Sequence, residues 1–121
     1  MDAAVKDALS KGSVIDITTT GRKTGERRRI EIVFHAIGGR VYISGLPRPQ
    51  KRRWLLNMEA NPDFTFHLKG DVKADLRARA RPITDLSERR TVLLEVSKTW
   101  GRDDIDVMVR ESPLVEVTFE E

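Results

Sequence analysis

The stretch Ile30-Glu31-Ile32-Val33-Phe34-His35-Ala36-Ile37-Gly38-Gly39-Arg40-Val41-Tyr42-Ile43-Ser44 decides the fold class. Ile30, Ile32, Phe34 and Ala36 alternate with Glu31, Val33, His35 and Ile37. A period of two predicts a strand with one apolar face, and it turns Ile30, Ile32 and Phe34 inward. Gly38-Gly39 closes a hairpin, and Arg40 to Ser44 forms the returning strand. Before this hairpin, Val14-Ile15-Asp16-Ile17-Thr18-Thr19-Thr20 is rich in β-branched residues and stops at Gly21, as a first strand and its turn would.

After the hairpin, Gly45-Leu46-Pro47-Arg48-Pro49 reads as a loop. Trp54, Leu55, Leu56 and Met58 then fall near helical spacing until Asn61-Pro62 stops them. Phe64, Phe66 and Leu68 alternate up to a Gly70-Asp71 turn, and Val72, Ala74, Leu76 and Ala78 continue the alternation beyond it, which predicts a second hairpin. Asp85, with Glu88 three residues later, marks a helix start. Leu86, Leu93, Val96 and Trp100 share one face of that helix, and Gly101 ends it. Asp103-Asp104 begins a shorter helix reaching Arg110, and Ser112-Pro113 leads into a last strand, Leu114 to Phe119. The expected class is mainly β (α+β), an antiparallel sheet curled into a small barrel with helices outside it. An open α+β sandwich fits the same pattern.

At 121 residues the chain has room for one domain, residues 1–121. With 39% hydrophobic and 34% charged residues, the composition predicts a folded core under a charged surface. There is no cysteine, which excludes disulfides, thiolate catalysis and cysteine-ligated metal clusters, so redox chemistry would belong to a borrowed cofactor. His35 and His67 are not at metal-ligand spacing, and no metal site is expected. The opening MDAAVKDALSKG has neither a signal-peptide pattern nor a membrane span, and a cytoplasmic location is expected. Net charge is only +3, from 22 basic and 19 acidic residues, but the basic ones crowd into Arg22 to Arg29 and Arg48 to Arg53.

Two glycines in Gly21-Arg22-Lys23-Thr24-Gly25-Glu26-Arg27-Arg28 bracket two cations and a hydroxyl on a turn between strands. Such a turn lets backbone approach an anion closely while side chains clamp it; it also fits an ordinary polar turn. The Walker spacing is missing and no helix follows. The run TTTGRKTGERRR, a strand pair ending at Tyr42-Ile43-Ser44-Gly45, and Trp54-Leu55-Leu56-Asn57-Met58-Glu59-Ala60-Asn61-Pro62 together resemble the deazaflavin-dependent nitroreductase family in order and spacing, over roughly Ser13 to Arg81.

That resemblance implies a split β-barrel of the FMN-binding type, and hydride transfer from reduced coenzyme F-420 to a small conjugated acceptor such as a quinone, enone or nitro compound. It makes Arg22, Lys23, Thr24, Gly25 and Arg28 candidates for the cofactor's phosphate and acidic tail. Ser44 and Gly45 would face the deazaflavin ring, and Trp54 and Asn57 would come from the helix after the loop. Two departures stand out. Gly45-Leu46-Pro47 replaces a lysine-bearing segment of many relatives, and Lys51, Arg52 or Arg53 would have to supply that charge. The C-terminal tyrosines that shape a nitroimidazole pocket are absent, Tyr42 being the only tyrosine. The acceptor wall would then come from Leu46, Trp54 and the helix around Trp100. No catalytic side chain is assigned, since the cofactor ring carries the chemistry. FMN is the alternative cofactor; a silent carrier and a nucleic-acid module are the alternatives of other classes. Few aromatics beside the cations disfavour nucleic acid, and a homodimer is expected from the strand content.

Overall fold

The computed structural model describes residues 1–120. The strands are β1 (Ser13–Thr20), β2 (Arg27–Ile37), β3 (Arg40–Ser44), β4 (Asp63–Lys69), β5 (Lys73–Pro82) and β6 (Leu114–Phe119). The helices are α1 (Ala3–Leu9), α2 (Arg53–Ala60), α3 (Leu86–Trp100) and α4 (Ile105–Glu111). Gly38 and Gly39 both adopt positive φ, 59° and 77°, which a two-residue turn between twisted strands demands. Every strand pairing is antiparallel in the order β1-β2-β3-β6-β5-β4. Pairing of β1 with β4, from Ile15 opposite Leu68 to Thr18 opposite Thr65, closes the barrel and rules out the open sandwich.

The barrel interior is the strand face that alternation marks. Ile15, Ile17, Phe34, Ile43, Phe66 and Val115 are all fully buried there. Phe66 lies edge-on to both Phe34 and Phe119, with ring centroids 5.2 and 5.1 Å apart. Helix α2 adds Trp54, Leu55 and Met58 to this cluster, and α1 adds Val5 and Leu9. A second apolar cluster forms outside the barrel, where Tyr42 and Leu114 meet Leu93 and Val96 of α3 and Met108 of α4. His35 is buried on this side, edge-on to Trp100 at 5.1 Å. Asp85 caps α3 by accepting from the Glu88 N–H at 2.8 Å, and Gly101 ends the helix in the left-handed region.

Three expectations need correction. Phe34 is buried, but Ile32 is half-buried and Ile30 is 37% exposed. The reason lies in the register: β3 pairs with β2 only over Phe34–Ile37, so no described strand runs along the other edge of Arg27–Val33. The barrel is split there, and Ile30 has no wall to face. Leu86, the first residue of α3, is 65% exposed and does not share the buried face of Leu93 and Val96. Asp104 occupies the N-cap position of α4 without capping it, because its carboxylate is taken by Arg102. Ala3–Leu9, to which the sequence pattern assigns no element, is a helix capped by Asp2, which accepts from the Val5 N–H at 2.8 Å.

Candidate functional site

The connection from β1 to β2 is built around Gly21 and Gly25. The Gly21 N–H donates to the Glu26 carbonyl at 2.7 Å, the Gly25 N–H to the Gly21 carbonyl at 2.8 Å, and the Glu26 N–H to the Thr24 hydroxyl at 3.2 Å. A Cβ on Gly21 would stand 3.1 Å from both the Glu26 carbonyl and the Thr24 hydroxyl, so any larger residue there presses on the bonds that close the loop. Gly25 supplies a φ of 73°.

Asn57 docks this loop on α2. Its side-chain carbonyl accepts from the Arg22 N–H at 3.1 Å, and its amide donates to the buried Thr19 hydroxyl at 3.1 Å. Four backbone N–H groups of the loop are thereby used internally or by Asn57, so the backbone cradle pictured from the sequence is largely spent. What the loop presents outward is charge. Arg22, Lys23 and Arg28 are all exposed. Arg28 pairs with Glu26 at 3.2 Å, both well solvated, whereas Arg22 and Lys23 hold no ion pair among the described residues.

At the end of β3 the chain's own packing takes up the residues assigned to a ring. The Ser44 hydroxyl is buried and donates to the Pro113 carbonyl at 2.7 Å. The space of a Gly45 Cβ is filled by Pro113, whose Cγ would stand 3.0 Å away, and by the Arg52 guanidinium at 3.2 Å. Arg52 also donates to the Leu46 carbonyl at 2.6 Å and closes the loop after Gly45. Burial, helped by the neighbouring charge of Arg48, holds Arg52 below the usual arginine range. Lys51, a candidate for the missing phosphate cation, pairs with Glu59 at 2.9 Å.

The acceptor wall does not assemble as pictured from the sequence. Trp54 is buried in the barrel cluster and Trp100 packs on His35 in the other, which leaves Leu46, 54% exposed, as the apolar surface beside the strand end. His67 is tied between Thr18 and Asp75, each at 2.7 Å. Thr19 and Pro113 organise the site without having been singled out from the sequence, and Arg52, named as a candidate phosphate cation, closes the loop after Gly45 instead. Arg52 was visible as a cation, but nothing local marks the meeting of Pro113 with Gly45, 68 positions earlier.

The family model of F420H(2)-dependent quinone reductases matches residues 1–114. The chain belongs to this family. Among solved structures, the conserved hypothetical protein Rv2991 from Mycobacterium tuberculosis superimposes with a TM-score of 0.77 at 16% identity, over 100% of this chain and 82% of that one. An F420-H2 dependent reductase, FDR-A, matches with a TM-score of 0.62 at 20% identity, over 87% of this chain and 93% of its own. A FAD-binding protein from Mesorhizobium loti matches with a TM-score of 0.64 at 13% identity, over 100% and 91%. At these identities the structural likenesses establish the split barrel alone. Membership of the quinone reductase family makes the chain an oxidoreductase. No helix among the described residues is long and apolar enough to cross a membrane.

Proposed function

We propose that this oxidoreductase holds reduced coenzyme F-420 by its phosphate and acidic tail on Arg22, Lys23 and Arg28, and delivers the hydride to a small conjugated acceptor of the quinone or enone kind. The observation that carries the reading is the pair Arg22 and Lys23, cations that have no carboxylate partner among the described residues, on a loop that Asn57 fixes to α2. A phosphodiester followed by carboxylates is the chemistry such a loop suits, because its cations can meet the anion without first giving up an ion pair. Family membership supports the choice of coenzyme.

When bound, the deazaflavin supplies a two-electron hydride donor, and the protein's share is binding, orientation and exclusion of water. Arg22 and Lys23 bind, with Arg28 joining when it leaves Glu26. Asn57 keeps the loop in place. The Ser44–Gly45 strand end, pinned by Pro113 and Arg52, gives a fixed edge against which a planar acceptor can be positioned, and exposed Leu46 gives it apolar contact.

Anaerobic titration of the purified chain with reduced coenzyme F-420, followed by a quinone or an enone, tests the reading through loss of the reduced form. The expected result is saturable binding and acceptor-dependent oxidation. Binding of FMN in preference to the coenzyme would overturn the cofactor assignment, and tight coenzyme binding without oxidation by either acceptor class would overturn the acceptor assignment.

A further inference from the structure

Behind the loop that follows Gly45 lies a cleft of about 300 Å³, walled by Arg48 to Arg52, the link from β5 to α3, and the junction of α4 with β6. Lys51, Arg52 and Pro113 line this cleft, and Arg52 and Pro113 also border the strand end after Ser44, whereas neither Asn57 nor any residue of the Gly21–Arg28 loop lines it.

The cleft is short of negative charge. Arg89, only 8% exposed, forms part of its wall and donates to the carbonyls of Ile83 at 2.9 Å, Met108 at 3.4 Å, Val109 at 2.7 Å and Ser112 at 2.5 Å. Carbonyl dipoles take four of the guanidinium's five donors but do not neutralise it, and among the described residues no carboxylate is its partner. Arg48, Lys51, Arg52 and Arg110 add four more cations against the two carboxylates Glu59 and Glu111, and Lys51 is already paired with Glu59. Arg48 and Arg110 are exposed and hold no ion pair among the described residues.

A second, independent observation is the Ser112 hydroxyl. It is buried without a hydrogen-bond partner, on a residue that lines this same cleft. Buried polar groups are seldom left so, and a ligand acceptor would satisfy it. Beneath the charges, Leu55, Ile83 and Leu114 make an apolar floor.

We propose that this cleft binds a small organic acid, its carboxylate met by Arg48, Arg110 and the Ser112 hydroxyl, and its apolar body resting on Leu55, Ile83 and Leu114. A volume of about 300 Å³ admits one ring or a short chain and is too small for a deazaflavin with its tail. A bound acid also acts beside Arg52, whose contact with the Leu46 carbonyl shapes the loop next to the strand end.

The test is an amide chemical-shift titration of the full chain with benzoate, and with benzyl alcohol as the neutral analogue, at constant ionic strength. Benzoate is expected to shift amides of Arg48–Arg52, Ile83–Leu86 and Val109–Leu114. Benzyl alcohol is expected to shift them far less. The double variant Arg48→Gln, Arg110→Gln removes two exposed charges and should bind benzoate about tenfold more weakly. Ser112→Ala should weaken benzoate by about threefold while leaving the response to benzyl alcohol unchanged. Equal shifts from both probes, shifts centred on Arg22–Arg29, or unchanged benzoate affinity in the double variant would overturn the proposal.

Discussion

Arg22 and Lys23 differ from Arg28 in what must be given up when an anion arrives. Arg28 has to release Glu26, 3.2 Å away, whereas Lys23 releases only water. Lys23→Ala should therefore weaken coenzyme binding about tenfold, and Arg28→Ala only about threefold, by direct titration with thermal stability unchanged in both. Equal losses would show that the Glu26 pair does not restrain Arg28. Asn57 calls for a different readout, because it acts through the loop. Asn57→Ala strands the Arg22 N–H and the buried Thr19 hydroxyl, at a cost of about 1–3 kcal/mol in chemical denaturation. It should also weaken the coenzyme, as Lys23→Ala does, but with a loss of stability that Lys23→Ala does not show. A stable Asn57→Ala protein with weakened binding would make the amide a direct ligand.

At the scale of elements, the junction between the end of β3 and the start of β6 is the least forgiving point near the site. Gly45→Ala places a Cβ 3.0 Å from Pro113 and 3.2 Å from Arg52, and overpacking of this kind costs roughly 1–3 kcal/mol. Urea unfolding should show that loss, and Pro113→Ala in the same chain should recover part of it. No recovery would mean that Arg52 alone sets the constraint. This junction also shows where sequence reading stops. The hairpin from β2 to β3 is legible because Ile32 and Phe34 keep period and Gly38-Gly39 forces the turn. Ile30 obeys the same period and still lies exposed, since periodicity identifies a face but not whether a second wall covers it. The Gly21–Arg28 cations are visible as a cluster, but their division into free and paired groups depends on side-chain geometry. That Ser44 and Gly45 serve Pro113 rests on contacts 69 and 68 positions apart, for which no local pattern exists. Helix α1 is hard to read for a simpler reason: its two buried apolar side chains, Val5 and Leu9, make a single i, i+4 step, too short to stand out as a period.

For the whole molecule, the second cluster carries an acid sensitivity. His35 is buried against Trp100, its Nε2 has no partner, and burial holds its imidazole below the usual histidine range. The unfolded chain therefore takes up a proton at a pH where the folded one does not, and stability must fall as pH drops below the unfolded value of about 6.5. The loss continues down to the folded value and stops there. Unfolding free energies measured from pH 7.5 to 5 should show this slope in the parent chain and lose it in His35→Leu. A slope that persists in the variant would assign it to another group.

The split in the barrel has one further consequence. Residues Arg27–Val33 of β2 have a side that no described strand pairs, in a segment that also exposes Ile30. An open strand edge with apolar character is a template on which a second chain can add, the first step toward ordered aggregates. Three consecutive arginines, Arg27, Arg28 and Arg29, stand on that edge, and two copies brought edge to edge would set like charges against each other. The same basic run that can hold an anion thus acts as a gatekeeper against self-templating, so the solubility of the free protein and its capacity to bind an acidic ligand cannot be tuned independently.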